Sequence, residues 1–148
     1  VVAGHMNIIK DSVAAFKSKG AKLVKVLPVS IAAHTKIMNK CSSILDKSLN
    51  NNINIKGNFS FPVIHNVDAK PKDTKGDIIN ALCKQVNSPV LWIKTIESIR
   101  NMNITNFIEI GPGNVLSGLN KRIAKDISTI SISSYDNIDA ALEMSLND

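Results

Sequence analysis

The chain has 148 residues, 44% of them hydrophobic and 20% charged, with a formal net charge of +6. That balance excludes a disordered chain and fits one modest globular domain with a sizeable core. Aromatics make up only 4%, so Ile, Val and Leu must fill that core. No apolar run is long enough to cross a membrane as a helix. The opening "VVAGHMNIIK" has no basic region followed by an apolar stretch, so it does not read as a secretory signal. The first residue is not Met, and the chain reads as a piece of a longer one. "GHM" is also how a tag remnant reads, but "VVA" before it reads as native strand.

In chain order, "VVAG" predicts a short buried strand. A helix follows over about 6–19, with Ile9, Val13 and Phe16 on one face, and Gly20 closes it as a left-handed cap. "KLVKVLPV" (22–29) predicts a second strand, completing a β-α-β piece. From His34 to about Leu49, the residues Ile37, Met38, Cys41, Ile44, Leu45 and Leu49 make one helical stripe. "NNNINIKGN" reads as a polar loop, "FPVIHNV" (61–67) as a strand and "DAKPKDTKGD" as turns. Ile78, Ile79, Leu82, Cys83 and Val86 mark a helix that "NSP" stops, because Pro89 disfavours helix for the residue before it. Trp92, Ile96 and Ile99 mark the next helix. "NFIEI" (106–110) is a strand, "GPG" a tight turn, and Val115, Leu116, Leu119 and Ile123 a helix. "STISIS" alternates as a strand, and "NIDAALEMSL" closes as a helix. From residue 61 onward, strands and helices alternate, which predicts an α/β fold with a largely parallel sheet.

Few residues carry chemistry. Cys41 and Cys83 fall at apolar helical positions and are expected to be buried free thiols in a reducing compartment. The three His and two Cys are too scattered for a metal site. The lysines are dispersed and not interleaved with stacking aromatics, so nucleic acid is the weaker partner for the basic surface. The turn in "EIGPGNVLSGL" (109–119) could hold a phosphate at a helix start. It matches neither the P-loop nor the dinucleotide pattern, and a structural turn is the plainer reading. No "GxSxG" nucleophile elbow is present. His34 lies three, four and seven residues before Ile37, Met38 and Cys41, which puts it on their helical face, leaning toward the buried side. At a helix start it would be a neutral ring able to accept a proton. A structural junction residue is the competing reading.

Four segments in order, "LPVSIAAHTKIM", "FPVIHNVDAK", "KQVNSPVLW" and "FIEIGPGNVLSGLNKRI", resemble the C-terminal half of the malonyl-CoA:acyl carrier protein transacylases. The resemblance includes "VVAGH" and covers nearly the whole chain. It implies the C-terminal part of an α/β-hydrolase-like acyltransferase domain, residues 30–148. Residues 1–29 would be the tail of a small ferredoxin-like subdomain. It implies malonyl transfer from coenzyme A to the phosphopantetheine thiol of acyl carrier protein in fatty-acid biosynthesis, by ping-pong through an acyl-serine. His34 matches the family's catalytic base. Gln85 matches the residue whose backbone carbonyl holds the other ring nitrogen, and it sits in the last turn of its helix, where carbonyls lack internal partners. Asn66 matches an asparagine that pins a loop near the site. Ala33 borders the acyl pocket, and its small side chain puts strict malonyl selection in doubt. Trp92 matches a recurring Trp that reads better as core packing.

In this family the serine, the malonyl-binding arginine and the oxyanion-hole glutamine lie upstream, and Arg100 and Arg122 do not match that arginine. The resemblance therefore implies an inactive fragment. It also implies no cofactor or metal, malonyl-CoA and acyl carrier protein as partners, no membrane or nucleic acid, and a cytoplasmic location. Two alternatives stand beside it: an acyltransferase domain of a polyketide synthase, and a non-catalytic α/β module that binds an acidic protein.

Overall fold

The computed structural model describes residues 1–52 and 59–146. The chain divides into two compact units, Val1–Leu91 and Trp92–Asp148. The boundary expected near residue 29 falls inside the first unit.

The first unit opens with α1 (Met6–Ser18). Its apolar face carries Ile9 and Val13, both half-buried. The helix ends in a Schellman motif. Gly20 N–H donates to Lys17 O at 3.0 Å and Ala21 N–H to Phe16 O at 3.1 Å, with Gly20 at φ +92°. Glycine takes that conformation without a Cβ penalty. The strands expected at 1–4 and 22–29 do not form. Both segments lie outside any ladder among the described residues, and the second closes a local turn, Val29 N–H to Leu27 O at 2.8 Å. Apolar patterning marks a segment as able to pair, but a strand exists only where a neighbour supplies the opposite hydrogen bonds.

The helix expected from His34 begins later. A 3-10 turn at Lys36–Met38 leads into α2 (Asn39–Asn52). The half-buried line is Met38, Ser42, Leu45 and Leu49, so Met38, Leu45 and Leu49 of the predicted stripe face inward with Ser42, while Ile37, Cys41 and Ile44 are exposed. The exposure of Cys41 corrects the expectation that both thiols are buried; Cys83 is buried as expected. The polar stretch at 50–58 begins as the end of α2, and its remainder, 53–58, lies outside the described residues. The strand expected at 61–67 contracts to β1 (Val63–Ile64), which pairs antiparallel with β2 (Pro71–Lys72) inside the stretch read as turns. α3 (Lys75–Gln85) follows, capped by Thr74, whose Oγ1 accepts from Asp77 N–H at 3.2 Å. It buries Ile78, Ile79, Ala81 and Cys83.

In the second unit the predicted elements stand nearly where the periodicity puts them: α4 (Trp92–Arg100), β3 (Asn106–Ile110), α5 (Val115–Ile123), β4 (Ser128–Ile132) and α6 (Ile138–Leu146). β3 and β4 are parallel, in register Asn106↔Ser128 to Ile110↔Ile132, with α5 as the crossover between them. That is the βαβ unit a parallel pair requires. Ile96, Ala124 and Ile127 are buried together, with Trp92, Phe107 and Ile123 packed against them. No helix among the described residues is long and apolar enough to cross a membrane.

Candidate active site

The site is built around the carbonyl end of α3. Four successive carbonyls there lose their helical partners, and each finds another. In an unbroken helix, Gln85 O would accept from the N–H of residue 89, but that residue is Pro89 and has no N–H. Cys83 O accepts from Ser42 Oγ at 2.6 Å. Lys84 O accepts from Asn87 N–H at 3.3 Å. Gln85 O accepts from the His34 imidazole Nδ1 at 2.8 Å. Val86 O accepts from His34 N–H at 3.0 Å.

His34 can reach two consecutive carbonyls because its backbone is left-handed, at φ +62°. For a residue with a Cβ, that conformation costs about 1–2 kcal/mol. The two hydrogen bonds offset it, at about 0.5–1.5 kcal/mol each. Thr35 steadies the turn by donating from Oγ1 to Ala32 O at 2.7 Å. His34 is therefore not on the face of α2. It precedes the 3-10 turn by two residues, is exposed rather than leaning into the core, and faces the C-terminal end of α3 rather than the N-terminal end of its own helix. A left-handed histidine leaves no trace in hydrophobic periodicity.

The contact with Gln85 decides the chemistry of the ring. A carbonyl oxygen can only accept, so Nδ1 carries the hydrogen. In the neutral ring the lone pair is then on Nε2, and the negative end of α3 complements the ring if it gains a proton there.

Ala33 is half-buried and, with His34, is among the residues lining an apolar cleft of about 560 Å³. The opening residues 1–4, side chains of α1 and apolar residues between Ala21 and Ile31 also line it. Asn66, in the turn after β1, accepts through its carbonyl from Leu91 N–H at 2.8 Å and so ties down the segment that leaves α3. Its neighbour His65 is buried, and among the described residues His65 Nε2 has no hydrogen-bond partner. Burial, then the Lys72 charge, hold the His65 pKa below its ordinary value against a smaller pull from Asp68. The Val86 carbonyl, Ser42 and Asn87 were not singled out in the sequence, although Pro89 already implied unpaired carbonyls near Gln85.

The other candidates separate cleanly. Cys83 Sγ faces Asp46 Oδ1 at 3.8 Å, and burial together with that carboxylate pushes its thiol up, away from the thiolate a nucleophile needs. The glycine turn does not offer an open phosphate cradle. The Glu109 carboxylate already accepts from Leu116 N–H at 3.0 Å, Ser117 N–H at 2.7 Å and Ser117 Oγ at 2.6 Å. The side chain before the turn thus occupies the start of α5. Trp92 donates from Nε1 to Asn120 Oδ1 at 3.0 Å, with Asn120 buried, which makes it a packing residue. Arg100 is paired with Asp126, and Arg122 lies in the last turn of α5. No group of three or more His, Cys, Asp or Glu among the described residues is placed to hold a metal ion.

No family model matches the chain. Among curated proteins it is 36% identical to the malonyl CoA-acyl carrier protein transacylase of Escherichia coli K12, over 97% of this chain and 46% of that protein. It is also 36% identical to the enzyme of the same name from Staphylococcus aureus, over 93% of this chain and 44% of that one. The chain is thus similar to a little under half of the malonyl CoA-acyl carrier protein transacylases. Solved transacylase structures agree. A malonyl-transacylase in complex with a type II polyketide synthase acyl-carrier protein superposes with a TM-score of 0.86 at 34% identity, covering 95% of this chain and 45% of that one. The acyl-carrier-protein S-malonyltransferase of Bartonella henselae gives 0.85 at 34% identity, covering 95% and 44%. The chain spans about half the length of the transacylases it matches, and the partial α/β acyltransferase fold expected from the motifs is the fold observed.

Proposed function

We propose that this chain supplies the proton-handling part of a malonyl-CoA:acyl carrier protein transacylase acting in fatty-acid biosynthesis. The observation that carries the reading is the 2.8 Å contact from His34 Nδ1 to Gln85 O, which leaves Nε2 as the proton acceptor. His34 takes the proton of a serine hydroxyl as its oxygen attacks the malonyl thioester. It then returns the proton to the departing coenzyme A thiolate. In the second half-reaction His34 takes the proton from the phosphopantetheine thiol of acyl carrier protein, which attacks the acyl-serine, and the serine regains a proton. The sequence holds no elbow serine, so the nucleophile comes from the part of the family fold this chain does not span. The reaction needs no cofactor or metal.

Ala33 borders the acyl group, and its small side chain leaves room for more than malonyl. Asn66 holds the segment after α3 in place. Residues 1–29 belong to the small ferredoxin-like subdomain and 30–148 to the large one. The net charge of +6 suits an acidic carrier protein, and the setting is the cytoplasm.

The test uses the longer enzyme that contains this chain. His34→Ala is expected to lower malonyl transfer about 100-fold or more, with circular dichroism unchanged; unchanged turnover would favour a non-catalytic module. The 148-residue chain by itself is expected to form no malonyl adduct with malonyl-CoA, read by intact mass, and a stable adduct would refute the division of labour. A second reading places the enzyme with a polyketide synthase, because one structural neighbour was solved with a type II polyketide synthase carrier protein. Transfer rates to the two kinds of carrier protein distinguish them.

A further inference from the structure

We propose that Ser42 and the Asn39–Asn87 pair are positioning residues that aim the Gln85 carbonyl at His34. The proposal rests on His34 acting as the base described above. Ser42 and Ser43 are neighbours in the first turns of α2, yet they behave differently. Ser43 Oγ bonds back one turn to Asn39 O at 3.3 Å, as a helical serine ordinarily does. Ser42 Oγ instead crosses to α3 and donates to Cys83 O at 2.6 Å. On the far side of Gln85, Asn87 Nδ2 donates to Asn39 Oδ1 at 2.9 Å. Ser88 Oγ donates to Asn87 Oδ1 at 3.3 Å, which fixes which end of that amide faces Asn39.

The two ties grip the chain two residues before and two residues after the carbonyl that holds the imidazole. Both run to the helix that His34 leads into. A free helix end frays and its last carbonyls turn toward water. Here the end is held to α2 from both sides, so the acceptor and the ring share one frame. Without the ties, Gln85 O is free to rotate away, and Nδ1 loses the partner that keeps its hydrogen there.

The experiment reads the His34 tautomer by long-range ¹⁵N–¹H correlation in the 148-residue chain, at a pH where the ring is neutral. The parent chain is expected to show His34 protonated on Nδ1 alone. Ser42→Ala and Asn87→Ala are each expected to bring a second population protonated on Nε2. Ser42→Thr, which keeps the hydroxyl, is expected to restore the single form. A His34 signature unchanged in both alanine variants overturns the proposal. Should Ser42→Ala fail to fold, Asn87→Ala removes an exposed bond and decides alone by the same readout. The tautomer is measured without turnover, so a failure of the catalytic reading, shown by an active His34→Ala enzyme, is separate from a failure of the positioning role.

Discussion

At the residue scale, two histidines in one unit have opposite settings. His34 is exposed, and a carbonyl fixes the hydrogen on its Nδ1. His65 is buried, and its pKa is lowered first by that burial and then by Lys72. The sign of the pH effect follows. The unfolded chain protonates at about 6.5, before the folded chain does. Stability from the neutral His65 ring is therefore complete above that pH and is lost as pH falls through it toward the lower folded-state value. Urea midpoints measured at pH 7.5 and pH 5.5 should fall at the lower pH, and His65→Gln should flatten the difference. Of these residues, the partnership of His34 with Gln85 was legible through family motifs, not through periodicity. The left-handed turn that makes it possible was not legible, because positive φ is uncommon for any residue but glycine, even one as tolerant of it as histidine. The helical face assigned to His34 was wrong for the same reason.

At the element scale, helices announce themselves and strand pairs do not. α1, α3, α4 and α5 were readable because apolar residues recur at the helical period and because Gly20 and Pro89 mark two of the ends. β4 alternates, and β3 and β4 also find each other. "VVAG" and "KLVKVLPV" have the composition of strands, but pairing depends on a partner strand that composition does not name. β2 was missed because "PK" has little β propensity and survives only as a two-residue edge opposite β1. The cap of α1 gives a measurable case. Gly20→Ala forces a side chain into φ +92° and should destabilise the chain by about 1 kcal/mol or more. The urea midpoint should fall while the slope of the transition holds. A midpoint that did not move would show that the Schellman turn relaxes freely.

At the scale of the whole molecule, the two units differ in how they are held. The second has an apolar centre, with Ile96 at 0% exposure among Ala124, Ile127, Trp92, Phe107 and Ile123. Ile96→Ala should cost about 2–5 kcal/mol, seen as an early-melting transition in calorimetry. In the first unit, hydrogen bonds from α2 and His34 to the end of α3 carry much of what orders the candidate site. The fold class and helix order were legible because each is local. The joining of α2 to α3 was not, since it is made by serine and asparagine side chains whose patterns announce nothing.

The acceptor that fixes the imidazole belongs to residue 85 by address but to residue 89 by cause. Every amino acid offers the same main-chain oxygen, so a substitution survey at Gln85 would pass over it with little effect. The information resides four positions later, in a ring that withholds a donor. Pro89→Ala would hand that oxygen a rival suitor from its own helix, and the damage would register at a histidine more than fifty positions upstream.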